Sequence, residues 1–175
     1  MLRPPHLVLV VAMVAVWWIA ALAWPELPAR IPMHFDLSGR PDSWTATSIW
    51  SWFGLPALAT GIGLVFGFLL PWVATRLAAK HPTWINVIGR QRFQMLPAAA
   101  RVRVVAAMMT WLVWLAVALQ ALMFELVRGI AAVATGAQAT MPPVPLFVLL
   151  ATVLVIVVGV VVSQVRALRR ETQRR

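Results

Sequence analysis

The chain has no cysteine and no tyrosine, and only five of its 175 residues are acidic. Without cysteine there is no disulfide framework, which excludes a stapled secreted domain. Charged residues of both signs make up 11%, where an ordinary soluble domain carries roughly 25%. Such a chain cannot cover a globule of its size with polar surface. A soluble enzyme and a disordered tail are therefore excluded as well. What it has instead is 62% hydrophobic residues, ten Trp, thirteen Pro, a mean hydropathy of +0.85 and a formal net charge of +10. A positive surplus marks a nucleic-acid partner only where the basic groups share one water-facing surface. Their distribution decides its meaning.

A bilayer core of about 30 Å takes roughly 20 apolar residues at about 1.5 Å each. Leu7 to Trp24 and Trp50 to Ala74 carry no charge, Val104 to Leu126 is interrupted only by Gln120 and Glu125, and Pro145 to Ser163 is mostly Val and Leu. Lipid obliges each segment to satisfy its own backbone, so these runs are expected as helices. No strand-like alternation favours a β-barrel. The expected fold is an all-α integral membrane protein, a single membrane domain with four transmembrane helices at about 7–24, 49–74, 104–127 and 145–163. An outer motif loop at 25–48, a basic cytoplasmic loop at 75–103, an outer loop at 128–144 and a basic cytoplasmic tail at 164–175 complete it.

One set of connections holds Arg3, Arg76, Lys80, Arg90, Arg92, Arg101, Arg103, Arg166, Arg169, Arg170, Arg174 and Arg175; the other holds Arg30, Arg40 and Arg128. Basic residues stay on the cytoplasmic side, so both termini are expected there. The +10 then records orientation in a lipid bilayer, and no nucleic-acid partner is expected. Arg3, the first apolar run and Ala21-Leu22-Ala23 resemble a secretory signal, but the run exceeds the usual apolar region of about 7–15 residues. A retained anchor is the expectation. Trp24, Trp44, Trp50 and Trp52 fall at the outer interface and Trp72 and Trp84 at the inner one, as indole prefers. Trp17, Trp18, Trp111 and Trp114 lie deeper and read as packing between helices.

Information concentrates in residues 25–48. Pro25, Pro28, Pro32 and Pro41 exclude a regular helix and bias Trp24, Leu27, Ile31 and Arg40 toward extended backbone. Asp36-Leu37-Ser38-Gly39 reads as a turn, and Thr45 or Thr47 as the cap of the second helix. The segment is expected as a short, ordered, Pro-rich extracytoplasmic cap. His34, Asp36 and Asp42 are weak candidates for a metal, since imidazole with carboxylates suits Zn²⁺ or Mn²⁺. No metalloprotease motif accompanies them. The favoured reading is structural, with carboxylates pairing with Arg30 or Arg40 and His34 bonding a turn. No cofactor and no catalytic residue are expected.

Elsewhere, Glu125 is expected to pair with Arg128 three residues on, or to line a polar groove with Gln120. Gln120 itself is expected to bond another helix. Gly63 and Gly67 allow close helix approach, within the bundle or in a homo-oligomer. Pro56 and Pro71 would kink or end the second helix, and Pro97 opens the third. The basic loop between them, with Trp84, Phe93 and Met95 among its arginines, suits a membrane interface.

The string Leu27-Pro28-x-x-Ile31-Pro32-x-His34-Phe35-Asp36-x-x-Gly39-x-Pro41-Asp42-x-Trp44 closely resembles a bacterial membrane domain of unknown function. That domain also forms the N-terminal part of the immunity proteins against a sporulation-delay killing toxin, the SdpI family. Ile85-Asn86 and Leu96-Pro97 are similar to the family's inner connection. The resemblance implies a non-enzymatic protein of the bacterial inner membrane, acting in immunity or signalling. Its outer face would bind an amphipathic peptide, a lipid or a partner membrane protein. A small transporter component or sensor using Gln120 and Glu125 is the alternative, and a metal-dependent outer-face enzyme the third.

Overall fold

The computed structural model describes residues 4–173, so Arg3, Arg174 and Arg175 of the charge tally lie outside the described residues. Four stretches are helices long and apolar enough to cross a membrane, with windows of mean hydropathy between 2.0 and 2.8. The chain is a multi-pass membrane protein. Helix α1 spans Pro4–Ala23 and passes into a short 3-10 turn at Trp24–Glu26. Strands β1 (Arg30–Phe35) and β2 (Pro41–Ala46) follow as an antiparallel hairpin. The purely α expectation is corrected here, since a segment whose prolines bar a regular helix can still pair as a two-stranded ribbon.

Helix α2 (Ile49–Leu64), a π-turn at Val65–Leu69 and α3 (Leu70–Lys80) make the second span. Pro56 is accommodated inside α2. Pro71 has no N–H for the carbonyl of residue 67, and its ring crowds that carbonyl. The π-turn just before it widens the helix, with the Leu70 N–H donating to the Val65 carbonyl. The span is thus adjusted by its prolines and continues through them. A 3-10 turn (Pro82–Trp84) and the single-turn α4 (Arg90–Gln94) lead to Pro97, which caps α5 (Ala98–Ala134). Helix α6 covers Val144–Gln173. Both α5 and α6 run well beyond their apolar windows, because Ala, Arg and Gln propagate a helix into the interface as readily as Leu does.

Helix α5 is the central element, packed against α1, α2, α3, α6 and β1. Lipid is as apolar as leucine, so association rests on close fit at small residues. Gly63 and Gly67 supply it: a Cβ on Gly63 would come 2.8 Å from Met13 Sδ, and one on Gly67 would strike Leu9. The glycine pair is therefore occupied by α1. Gly159 of α6 likewise receives the Trp111 ring. One core cluster, around Val16, Ala20, Ile31, Trp52 and Val127, lies at the hairpin end. Another, around Ala78, Phe93, Leu96, Val104 and Leu168, lies at the opposite, basic end.

At the basic end Arg101 ties the connection down. Its guanidinium donates to the carbonyls of Ala78 (2.8 Å), Ala79 (3.0 Å) and Leu96 (2.8 Å). Those of Ala78 and Ala79 are orphan acceptors of the last turn of α3, where a cation also complements the helix dipole. Arg103 holds Glu171 with two bonds of 2.9 and 2.7 Å, fastening α5 to α6.

Candidate functional site

The hairpin is built from the motif residues themselves. Asp36 opens a tight turn that its backbone and side chain close together, its N–H donating to the Arg40 carbonyl at 2.9 Å. The Gly39 N–H donates to the Asp36 carbonyl at 2.9 Å. Asp36 Oδ1 accepts from the Ser38 N–H (2.8 Å), the Ser38 hydroxyl (2.7 Å) and the Arg40 N–H (2.9 Å). The Ser38 hydroxyl first, and then the Arg40 N–H, hold the carboxylate below its ordinary pKa of 3.8. Gly39 closes the loop in the left-handed region at φ 78°. A type I turn followed by a left-handed glycine is what a three-residue hairpin loop requires.

The prolines suit their places: Pro41 begins β2, and Pro32 sits in a two-stranded ribbon where one strand edge needs no donor. At the base, the Thr47 N–H donates to the Ala29 carbonyl (3.0 Å) and its hydroxyl to the Pro28 carbonyl (2.6 Å). Thr47 is spent on the hairpin, and Thr45 lies within β2 opposite Ile31. The cap of α2 is Ser48, in a reciprocal box with Ser51. The expectation of a threonine cap is corrected accordingly.

Part of the hairpin is sealed to the bundle. Ile31 is 1% exposed, Pro32 is buried, and Leu27 packs into the same cluster as Val127 of α5. Gly39 is buried too. Met141, in the connection from α5 to α6, donates its N–H to the Gly39 carbonyl at 2.8 Å, and a Cβ on Gly39 would collide with the Met141 carbonyl. The rest is open: Met33, Leu37 and Trp44 are exposed, and so are Ile49 and Trp50 at the start of α2. Phe35, half-buried, pairs with Pro41.

His34 Nδ1 and Asp42 Oδ1 meet at 2.6 Å. Asp36 faces its own turn, so the three candidate metal residues do not converge. Among the described residues there is no group of three His, Cys, Asp or Glu side chains placed to hold a metal ion. Asp36 bonds backbone and a hydroxyl rather than pairing with an arginine, and the Arg30 guanidinium reaches the Trp44 carbonyl at 3.5 Å.

Glu125 and Arg128 pair at 2.6 Å along α5. The expected polar groove shared with Gln120 does not form. Five residues of helix turn the two side chains about 140° apart. Gln120 is fully buried and donates from Nε2 to the Ala59 carbonyl at 2.6 Å, leaving Oε1 without a partner. Glu125 opens instead onto a groove between α5 and α6. A small cavity beneath Met141 and Pro142 is lined by Glu125 and Arg128. It adjoins one of about 190 Å³ walled by Ala118, Ala121, Glu125 and Thr152. Ala118, Ala121 and Thr152 also border the next, of about 560 Å³, which ends at Trp111 and Trp114.

The tryptophans sort by contact rather than by depth. Trp52, expected at the interface, is 2% exposed and donates Nε1–H to the Ala20 carbonyl at 2.9 Å. Trp17 donates to the Thr60 hydroxyl at 2.8 Å and stacks on Phe53. Trp18 faces outward. Met141 was invisible to sequence reasoning: it sits in a loop with no chemical signature, and its role depends on a residue a hundred positions away.

No curated protein and no solved structure matches the chain. Residues 11–60, which carry the second half of α1, the whole hairpin and the first part of α2, match a family described as "Domain of unknown function (DUF1648)".

Proposed function

We propose that the chain is a non-enzymatic binding protein of a bacterial cytoplasmic membrane that captures an amphipathic peptide at its hairpin end. In this reading the hairpin is an extracytoplasmic cap, both termini are cytoplasmic, and the role is protective, as the SdpI resemblance implies. Orientation is supported by Arg76, Lys80, Arg90, Arg92, Arg101, Arg103, Arg166, Arg169 and Arg170 at the basic end, against Arg30, Arg40 and Arg128 at the hairpin end.

The observation that carries the proposal is the clamp of Gly39 on Met141. It fixes the roof of a groove that is polar at its mouth, at Glu125 and Arg128, and apolar and aromatic in its depth. Such a gradient fits an amphipathic segment entering from the bilayer. The alternative, a small transporter component or sensor using Gln120 and Glu125, is the less favoured reading, because the two residues face different surroundings.

The test is a challenge of cells with and without the gene, using a panel of membrane-active peptides. Protection against at least one peptide is expected, abolished by Ala118→Trp, which fills the groove, at unchanged protein level. Equal sensitivity across the panel removes the proposal.

A further inference from the structure

A second groove lies at the basic end, between α4 with its preceding turn and the last turns of α6. It encloses about 530 Å³ and is lined by Ile88, Arg92, Val165, Arg169, Thr172 and Gln173. The α6 residues share one helix face, and α6 approaches closely because Gly89 has no side chain: a Cβ there would lie 2.9 Å from Leu168 Cδ2. Arg92 and Arg169 make no hydrogen bond or ion pair among the described residues. Glu171, the only acid at this end of the described chain, is mostly buried and held by Arg103. The two guanidinium groups thus line the groove with no anion among the described residues to neutralise them.

Depth identifies the counter-ion. The apolar run of α6 ends at Ser163, and Arg169 is six residues further, about 9 Å along the helix axis. With the edge of the hydrocarbon core set at the end of that run, this is the headgroup layer, where phosphates are held and acyl chains begin. Ile88 and Val165 give the groove an apolar side, and Arg92 and Arg169 a cationic one. We propose that this groove binds one anionic phospholipid, its phosphate between Arg92 and Arg169 and the start of its acyl chains against Ile88 and Val165. The inference is independent of any ligand at the hairpin end.

Protein purified in neutral detergent tests it, with thermal unfolding followed by intrinsic Trp fluorescence. Phosphatidylglycerol is expected to raise the unfolding temperature by about 5 °C. Phosphatidylcholine of the same chains, inorganic phosphate and a polyglutamate peptide are expected to leave it unchanged. Arg92→Gln with Arg169→Gln removes the shift while unfolding in phosphatidylcholine where the unaltered protein does. Arg166→Gln with Arg170→Gln, an equal loss of charge outside the groove, keeps it. Thr172→Trp fills the groove with both arginines in place and also abolishes the shift. Absence of the phosphatidylglycerol shift, its survival in the Arg92 and Arg169 double variant, or its reproduction by phosphate or polyglutamate overturns the assignment.

Discussion

Gly39 and Met141 are in backbone contact: the Met141 N–H donates to the Gly39 carbonyl at 2.8 Å, and the Met141 carbonyl occupies the place of a Gly39 side chain. Gly39 also has φ 78°, so two independent constraints select glycine. Gly39→Ala is expected to cost about 2 kcal/mol or more, since a left-handed non-glycine residue alone costs about 1–2. A lowered unfolding temperature and faster proteolysis within residues 136–143 would register the broken clamp. Unchanged values on both would show that the hairpin and the α5–α6 connection are not coupled.

Acid should loosen the turn through Asp36. Its folded pKa is depressed by the Ser38 hydroxyl and the Arg40 N–H. The stabilisation is therefore fully present above the ordinary value of 3.8 and is lost as pH falls through the lower folded value. Hydrogen exchange at the Ser38 and Arg40 amides is expected to be steady from pH 7 to pH 5, once corrected for intrinsic rates, and to accelerate only as pH falls below 3.8. Asp36→Asn, which carries no titrating carboxyl, should abolish the acid dependence.

Gln120 separates a packing role from a transport role. Gln120→Met keeps the volume, gives up one bond to the Ala59 carbonyl and removes the unpartnered Oε1. Stability should stay within about 1 kcal/mol of the unaltered protein. Protection against the peptide in the challenge assay should persist. Loss of protection with unaltered stability would reinstate a polar path through the bundle.

Arg101 is not replaceable by lysine. The planar fork reaches Ala78, Ala79 and Leu96 together, and an ammonium cannot match that spread. Arg101→Lys is expected to destabilise by about 1–3 kcal/mol, with hydrogen exchange rising between residues 81 and 97. Exchange confined to unaltered rates in that segment would mean the clasp carries no load.

Some of this was legible one segment at a time. Run length and lack of charge were enough for four spanning helices, because lipid leaves the backbone no other way to satisfy itself over 20 or so residues. The turn at Asp36 to Gly39 was legible for a similar reason, as its bonds lie within five consecutive residues. The i,i+3 spacing of Glu125 and Arg128 likewise contained their pairing. The hairpin was only half visible: four prolines argued for extended chain, but pairing of β1 with β2 needs the register that the turn imposes.

Tertiary structure alone decided which faces meet. In a helix that is apolar all round, no periodicity marks the packed side, and partners are chosen by shape: Gly63 by Met13, Gly159 by Trp111. That is why Trp52 is packed into the core at the hairpin end and why Gln120 and Glu125 part. The same holds for Met141 beside the motif and for Arg92 and Arg169 in one groove. The shortage of acids, plain from composition, acquires a location: the one described acid at the basic end is engaged by Arg103, so the neighbouring groove keeps its charge.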